Sequence, residues 1–204
     1  MPDFIFEQQY TGIVAGIDEA GRGPWAGPVV AAAVVLNVET LPPDVRDGLD
    51  DSKKLSPARR ETLFAALPAC ASIGVGMAEV EEIDRLNILQ ATLLAMTRAV
   101  GALDAVPDHA LIDGTQAPQL VCPVSCIVKG DSKSLSIAAA SIVAKVSRDR
   151  LMAGLARAFP AYGWERNAGY GTAEHKAALE RFGVTAHHRK SFAPVRKILS
   201  RPPA

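Results

Sequence analysis

Two adjacent carboxylates, Asp18 and Glu19, close a short apolar run and precede a glycine-arginine-glycine turn in the stretch IDEAGRGPWAGP, residues 17–28. Two more acids, Asp113 and Asp131, also end apolar runs, and each sits beside a glycine, Gly114 and Gly130. Open α/β sheets place ligands at strand ends, where the backbone leaves the pleat. If these ends are neighbours, four carboxylates converge. Such a cluster repels itself unless protons or cations neutralise it. Hard oxygen donors with room for water and phosphate suit Mg²⁺, with Mn²⁺ as a substitute. Any one Asp-Gly pair is more often a turn than a ligand; four acids at strand ends favour a site. Neighbouring strand residues point to opposite faces, so Asp18 and Glu19 share one site only if the strand ends there. Ala20-Gly21 would allow that turn.

The glycines do not make a nucleotide loop. A dinucleotide fingerprint needs G-x-G-x-x-G between a strand and a helix. Here Gly27 falls one residue late, Pro24 and Pro28 interrupt, and a strand-type run follows. The pattern G-x-x-x-x-G-K-[ST] is absent as well. Glycines would instead let backbone groups approach a ligand closely, and Arg22 could reach a phosphate. A plain surface turn is the bland alternative.

The elements that must position these residues alternate in type. Apolar runs at 13–17, 29–36 and 72–80 read as strands, as do 109–114 and 119–131. Ser56-Pro57 starts a helix to about Leu67. Helical spacing over 87–100 predicts another helix. An Ala-rich helix follows over 136–159, with small residues suited to close packing on a sheet. A polar loop runs through Tyr170, then Thr172 caps a helix to about Phe182, and one more helical turn falls near 195–199. The mixture predicts an α/β fold.

At 204 residues the chain is expected to form a single domain, with the basic segment 183–204 packed on it. Net charge is zero, but its distribution is uneven. Arg22 and Arg46 are the basic residues up to Asp51, against nine acids, and no acid follows Arg181, after which come Arg189, Lys190, Arg196, Lys197 and Arg201. A basic end opposite an acidic one suits a polyanion held against a metal site; a solvated terminus is the plainer reading. The three cysteines argue against a disulfide framework, and Cys122 and Cys126 on one strand would lie ~13 Å apart. Buried reduced thiols in a cytoplasmic protein are expected. Apolar runs are too short to span a membrane, and no signal pattern opens the chain.

Together these pieces resemble the bacterial ribonuclease HII (type 2 ribonuclease H) family. The resemblance rests on GIDEAGRGPWAGPVV, DSKKL (51–55), NILQATLLAM (87–96), LIDG (111–114), VKGDSKSLSIAAASIVAKVSRDR (128–150), GYGT (169–172) and HRKSFAPV (188–195), in order along nearly the whole chain. It implies a ribonuclease H-like fold: a central mixed β-sheet flanked by helices, with a small helical C-terminal part. It implies endonucleolytic cleavage of RNA in RNA/DNA hybrids, and of ribonucleotides embedded in duplex DNA, cut on the 5′ side to leave a 3′-hydroxyl and a 5′-phosphate. Two divalent ions, Mg²⁺ or Mn²⁺, would be held by Asp18, Glu19, Asp113 and Asp131. Gly21, Arg22 and Gly23 would contact the region of the ribonucleotide 2′-hydroxyl, Lys53 a phosphate, and Tyr170 the junction with DNA. A monomer is expected. Few residues precede the first strand, which disfavours the type 3 enzymes with their extra N-terminal domain, and RKILSRPPA shows no clamp-binding tail.

Bland readings stand beside these. Tyr170 alone reads as a packed tyrosine and Lys53-Lys54 as a solvated turn. Asp149 pairs with Lys145 four residues earlier, His187 and His188 form a packed or exposed pair, and Trp25 and Trp164 pack. Function classes still open are a non-catalytic hybrid-binding module and a metal-dependent phosphatase or nuclease of other specificity.

Overall fold

The structure, a computed structural model, describes residues 1–200. Arg201 and the last residues of the tail read for clamp binding lie outside the described residues. Five strands form one sheet: β1 Val14–Ala20, β2 Val29–Leu36, β3 Ala71–Ala78, β4 His109–Asp113 and β5 Val124–Ile127. Their order is β3-β2-β1-β4-β5. The first three are antiparallel neighbours, while β4 runs parallel to β1 and β5 parallel to β4. The helices are α1 Pro43–Arg46, α2 Pro57–Ala66, α3 Val80–Leu86, α4 Ile88–Gly101, α5 Leu135–Ala158, α6 Trp164–Asn167, α7 Ala173–Phe182 and α8 Ala193–Leu199. No helix among the described residues is long and apolar enough to cross a membrane.

Strand alternation explains why β2 is apolar throughout. Ala32, Val34 and Leu36 bury against α5, whereas Val29, Ala31 and Ala33 bury on the opposite face with α4. Both faces are covered, so the run is continuous rather than alternating. The α5 stripe Ala138–Ala140 and Ala144 is fully buried and lets that helix lie close to the sheet. At Gly16 a Cβ would come within 2.1 Å of the Ser136 backbone, so only glycine admits this approach. The start of α5 is held by side chains. Ser134 Oγ accepts from the Ile137 amide at 3.2 Å, and Glu7 Oε1 accepts from Ser134 Oγ at 2.6 Å and from the Ser136 amide at 2.9 Å.

Several expectations need correction. The strand read at 119–131 shrinks to β5, because Pro123 offers no amide to the ladder just before it. Cys70 and Cys122 are buried, but Cys126 is exposed on this edge strand. The strand read at 72–80 ends at Ala78; Val80 and the unassigned residues 81–86 form α3, opened by a reciprocal capping box between Glu79 and Glu82. The polar loop after α5 contains a turn of 3₁₀ helix at Pro160–Tyr162 and the short α6.

Candidate active site

Sheet register brings the distant acids together. The parallel β1–β4 pairing runs from Val14↔His109 to Ile17↔Ile112. The next residues, Asp18 and Asp113, therefore lie side by side. Both follow, by alternation, the face on which Leu111 and Ile137 pack. Asp131 arrives on the 3₁₀ turn Gly130–Ser132, between β5 and α5. The turn is tied in place by its own neighbour: Asp113 Oδ1 accepts from the Gly130 amide at 2.7 Å. Carboxylate oxygens of Asp18, Asp113 and Asp131 lie within 4.8 Å of one another.

Glu19 is not in this trio. β1 does not end at Asp18 but continues in register to Ala20↔Val30, so alternation turns Glu19 from the face Asp18 uses. Its carboxylate instead accepts from the half-exposed Arg22 at 3.3 Å. Glu19 remains close enough to raise the pKa of Asp18.

Three buried or half-buried acids without a cation make an unfavourable charge set. Burial, then the charges of Glu19 and Asp113, push the Asp18 carboxyl well above the usual range. Burial followed by Asp113 and Asp51 raises Asp131. Burial also raises Glu19, with Arg22 opposing it. Lys53 reports the same field. Burial would lower its ammonium, yet Asp18, Asp51, Asp131 and Asp113 together hold it above its ordinary value. All-oxygen, anionic and concave, the donor set fits a hard divalent cation.

A cleft of about 290 Å³ lies beside the acids, lined in part by Glu19, Gly21–Gly23, Lys53 and Tyr170. Residues far apart in sequence thus meet. A Cβ placed on Gly23 would lie 3.4 Å from Tyr170 Cε1, so the tyrosine ring lies close against the glycine loop, and both line the cleft. Tyr170 is 47% exposed, which removes the packed-tyrosine reading. Lys145 also lines the cleft and pairs with Asp149 at 2.7 Å, as the helix spacing indicated. Trp164 is buried, and the Trp25 ring fills the space over Gly171.

The sequence reading missed what holds the loop. Arg189, counted there as part of a polyanion-facing basic end, is fully buried. Its guanidinium donates to the carbonyls of Gly21 (2.6 Å), Arg22 (3.0 Å), Gly27 (2.9 Å) and Pro28 (3.2 Å). Arg148, from α5, donates to Pro28 (3.0 Å), Ala168 (2.9 Å) and Ala26 (3.0 Å). Burial lowers both cations, Arg148 to about 10 and Arg189 to about 9, with Arg148 adding to the effect on Arg189. Both remain charged at neutral pH. No sequence signal separates a buried arginine from a surface one.

His188 is likewise buried, and it pairs with His175 rather than with its neighbour His187. Burial, then His175 and His187, lowers its imidazole to about 3. An unfolded histidine titrates near 6.5. Between these values the unfolded chain binds a proton that the folded chain refuses, so stability falls as pH drops through that window. This one residue should remove about 2 kcal/mol between pH 7 and pH 5. Urea unfolding at the two pH values, in wild type and in His188→Asn, checks it. The variant should lose that share of the pH dependence; equal slopes would contradict the assignment.

The whole fold is shared with solved ribonuclease structures. The ribonuclease H2 of Pyrococcus horikoshii OT3 superposes with a TM-score of 0.78 at 29% identity, covering 91% of this chain and 96% of that one. Fold and acids together define a nuclease hydrolase of ribonuclease H-like architecture. The Ribonuclease HII family profile matches residues 15–195. The Ribonuclease HII of Paramagnetospirillum magneticum is 64% identical over 195 residues, 96% of this chain and 97% of that protein. That of Jannaschia sp. is 60% identical over 199 residues, 97% of this chain and 98% of that protein. The chain belongs to the ribonuclease HII family, whose members are endoribonucleases acting on RNA/DNA hybrids.

Proposed function

We propose that this chain nicks duplex DNA on the 5′ side of single embedded ribonucleotides, as well as cutting the RNA of hybrids, and leaves 3′-hydroxyl and 5′-phosphate ends. The observation that carries this reading is that the Gly21–Gly23 loop and Tyr170 line one cleft together with Glu19 and Lys53, next to the acidic trio. Asp18, Asp113 and Asp131 would hold divalent cations, with Glu19 as the adjacent fourth acid. Two such ions, Mg²⁺ or Mn²⁺, would supply Lewis-acid activation of water and stabilisation of the leaving oxygen.

The residues of the chain do the recognition. Gly21 and Gly23 lack side chains, so their backbone can approach a sugar and test for the 2′-hydroxyl that separates RNA from DNA. Lys53, already in the field of the acids, is positioned to contact a phosphate next to them. Arg22 can exchange Glu19 for a substrate phosphate, since its side chain is half exposed. Tyr170 presents an exposed ring on which the sugar of the following deoxynucleotide can stack, where a 2′-hydroxyl would clash.

A labelled duplex carrying one ribonucleotide, incubated with and without Mg²⁺ or Mn²⁺, tests the reading. Metal-dependent nicking 5′ of the ribonucleotide supports it. Binding without cutting indicates a hybrid-binding module, and cutting indifferent to the ribonucleotide indicates another nuclease specificity. Tyr170→Ala should lower kcat/KM on this duplex about tenfold or more while leaving the melting temperature nearly unchanged. An unaltered rate would return Tyr170 to a structural role.

A further inference from the structure

We propose that the dipeptide His188-Arg189 is a positioning element for ribonucleotide selection: together with Arg148 it sets the spacing between the Gly21–Gly23 loop and Tyr170. The inference rests on the reading that these two elements inspect the sugar in the cleft.

Each residue of the dipeptide reaches one of the two elements. Arg189 grips the loop through the carbonyls of Gly21, Arg22 and Gly27. His188 reaches Tyr170 through His175. His188 Nε2 lies 3.0 Å from His175 Nε2, and His175 Nδ1 lies 2.9 Å from the Tyr170 carbonyl oxygen.

Hydrogen-bond chemistry gives this chain one direction. A carbonyl accepts only, so His175 Nδ1 carries a proton and donates to Tyr170. The Thr185 amide donates to His188 Nδ1 at 3.0 Å, so that nitrogen carries a lone pair. The proton of neutral His188 therefore sits on Nε2 and is donated to His175 Nε2. Trp164 Nε1 donates to the same nitrogen at 3.2 Å, consistent with a lone pair there. Every nitrogen in the sequence Thr185, His188, His175, Tyr170 has one permitted role.

Backbone bonds lock the dipeptide to the same strip of chain. The Arg189 amide donates to the Trp25 carbonyl at 2.8 Å, and the Trp25 amide to the Gly169 carbonyl at 2.8 Å. Ala26 and His188 form an isolated antiparallel bridge. Loop 21–28 and segment 167–170 also touch directly, through the Trp25–Gly169 bond and through Arg148, and residues 188 and 189 brace that contact from outside the sheet.

The acidic trio is held by other means. Asp18 and Asp113 are fixed by β1–β4 register, and Asp131 by the turn bonded to Asp113. Loosening the dipeptide therefore shifts inspection without moving the acids. A misplacement of about 1 Å at a positioned group costs on the order of a hundredfold in rate. Continuous hybrid, which presents a 2′-hydroxyl at every step of the cut strand, makes no demand on a ribose-deoxyribose junction and should tolerate the shift.

The test compares kcat/KM on two substrates, a duplex with one ribonucleotide and a continuous RNA/DNA hybrid. His188→Asn keeps an acceptor for Thr185, but its shorter amide does not reach His175 as a donor. Arg189→Lys keeps the charge but not the planar fork that meets several carbonyls at once. Both should lower the single-ribonucleotide value by about tenfold to a hundredfold and the hybrid value by less than about threefold. His188→Gln restores a donor toward His175 and should recover most of the loss. Parallel loss on both substrates, or loss on neither, in variants with native near-ultraviolet circular dichroism overturns the proposal. Wild-type protein supplies a second readout that needs no variant. Nitrogen-15 spectra at neutral pH should show the Nδ1–H tautomer for His175 and Nε2–H for His188, and the opposite tautomer on either breaks the chain and overturns it. A wild type that does not nick the single-ribonucleotide duplex refutes the sugar-inspection reading itself. A wild type that nicks while the variants keep its substrate ratio refutes only the role of the dipeptide.

Discussion

Asp18→Asn will abolish metal-dependent cleavage and, in metal-free buffer, will raise the melting temperature. The two effects have one origin. Asp18 is buried beside Asp113 and Asp131, and burial together with neighbouring negative charge already disfavours its ionised form. Asparagine has nearly the same shape and removes the repulsion. The expected gain is about 1 kcal/mol, or about 3 °C for a chain of this length. The same change removes an anionic ligand, and the loss of turnover should be about a thousandfold or more. Mn²⁺ should raise the melting temperature of wild type by mass action and have a much smaller effect on the variant. Asp113→Asn should lose activity similarly, since it too keeps an oxygen for the Gly130 amide. Near-normal turnover in either variant would refute the assignment. A lower melting temperature for Asp18→Asn would show that charge repulsion is not the dominant feature of the trio.

Gly21→Ala will be unstable and will lose cleavage at a single embedded ribonucleotide. Gly21 has φ of +99°, a region that side chains with a Cβ rarely adopt. A Cβ there would lie 2.0 Å from Arg148 Nε. That guanidinium cannot retreat without giving up its carbonyls on Ala26, Pro28 and Ala168, so strain and lost hydrogen bonds add. The expected destabilisation is about 3 kcal/mol, measured by urea unfolding. Activity on a duplex with one ribonucleotide should fall by at least about a hundredfold even well below the melting temperature, because the loop carrying Gly23 must move. A variant as stable and active as wild type would show that the loop relaxes freely and that Arg148 does not hold it.

What could be read from the sequence depended on whether the signal was local. Periodicity and capping were local: Ser56 caps α2 and Thr172 caps α7 as expected, and α4 and α5 begin within a residue of their assigned starts. Asp18, Asp113 and Asp131 were legible because each ends an apolar run beside a turn. Their meeting also needed strand order, which no single run encodes. Glu19 stands beside the trio rather than within it because β1 continues past it in pairing with β2, a non-local fact. Arg148, Arg189, His175 and His188 were illegible as a network. Polar residue types carry no mark of burial, and their partners here are backbone carbonyls or side chains distant in sequence. Family resemblance supplied Tyr170 and the glycine loop. Only coordinates reveal what holds them at their spacing.

The order of these parts along the chain has a consequence for synthesis. Every acid of the trio lies at or before Asp131, and the helix that buries them follows directly. Arg148 arrives with that helix, but the rest of the brace on the loop comes later, at His188 and Arg189. A growing chain therefore possesses the acidic trio before the brace of the cleft beside it is complete. That cleft is completed only when helix α8 is about to emerge.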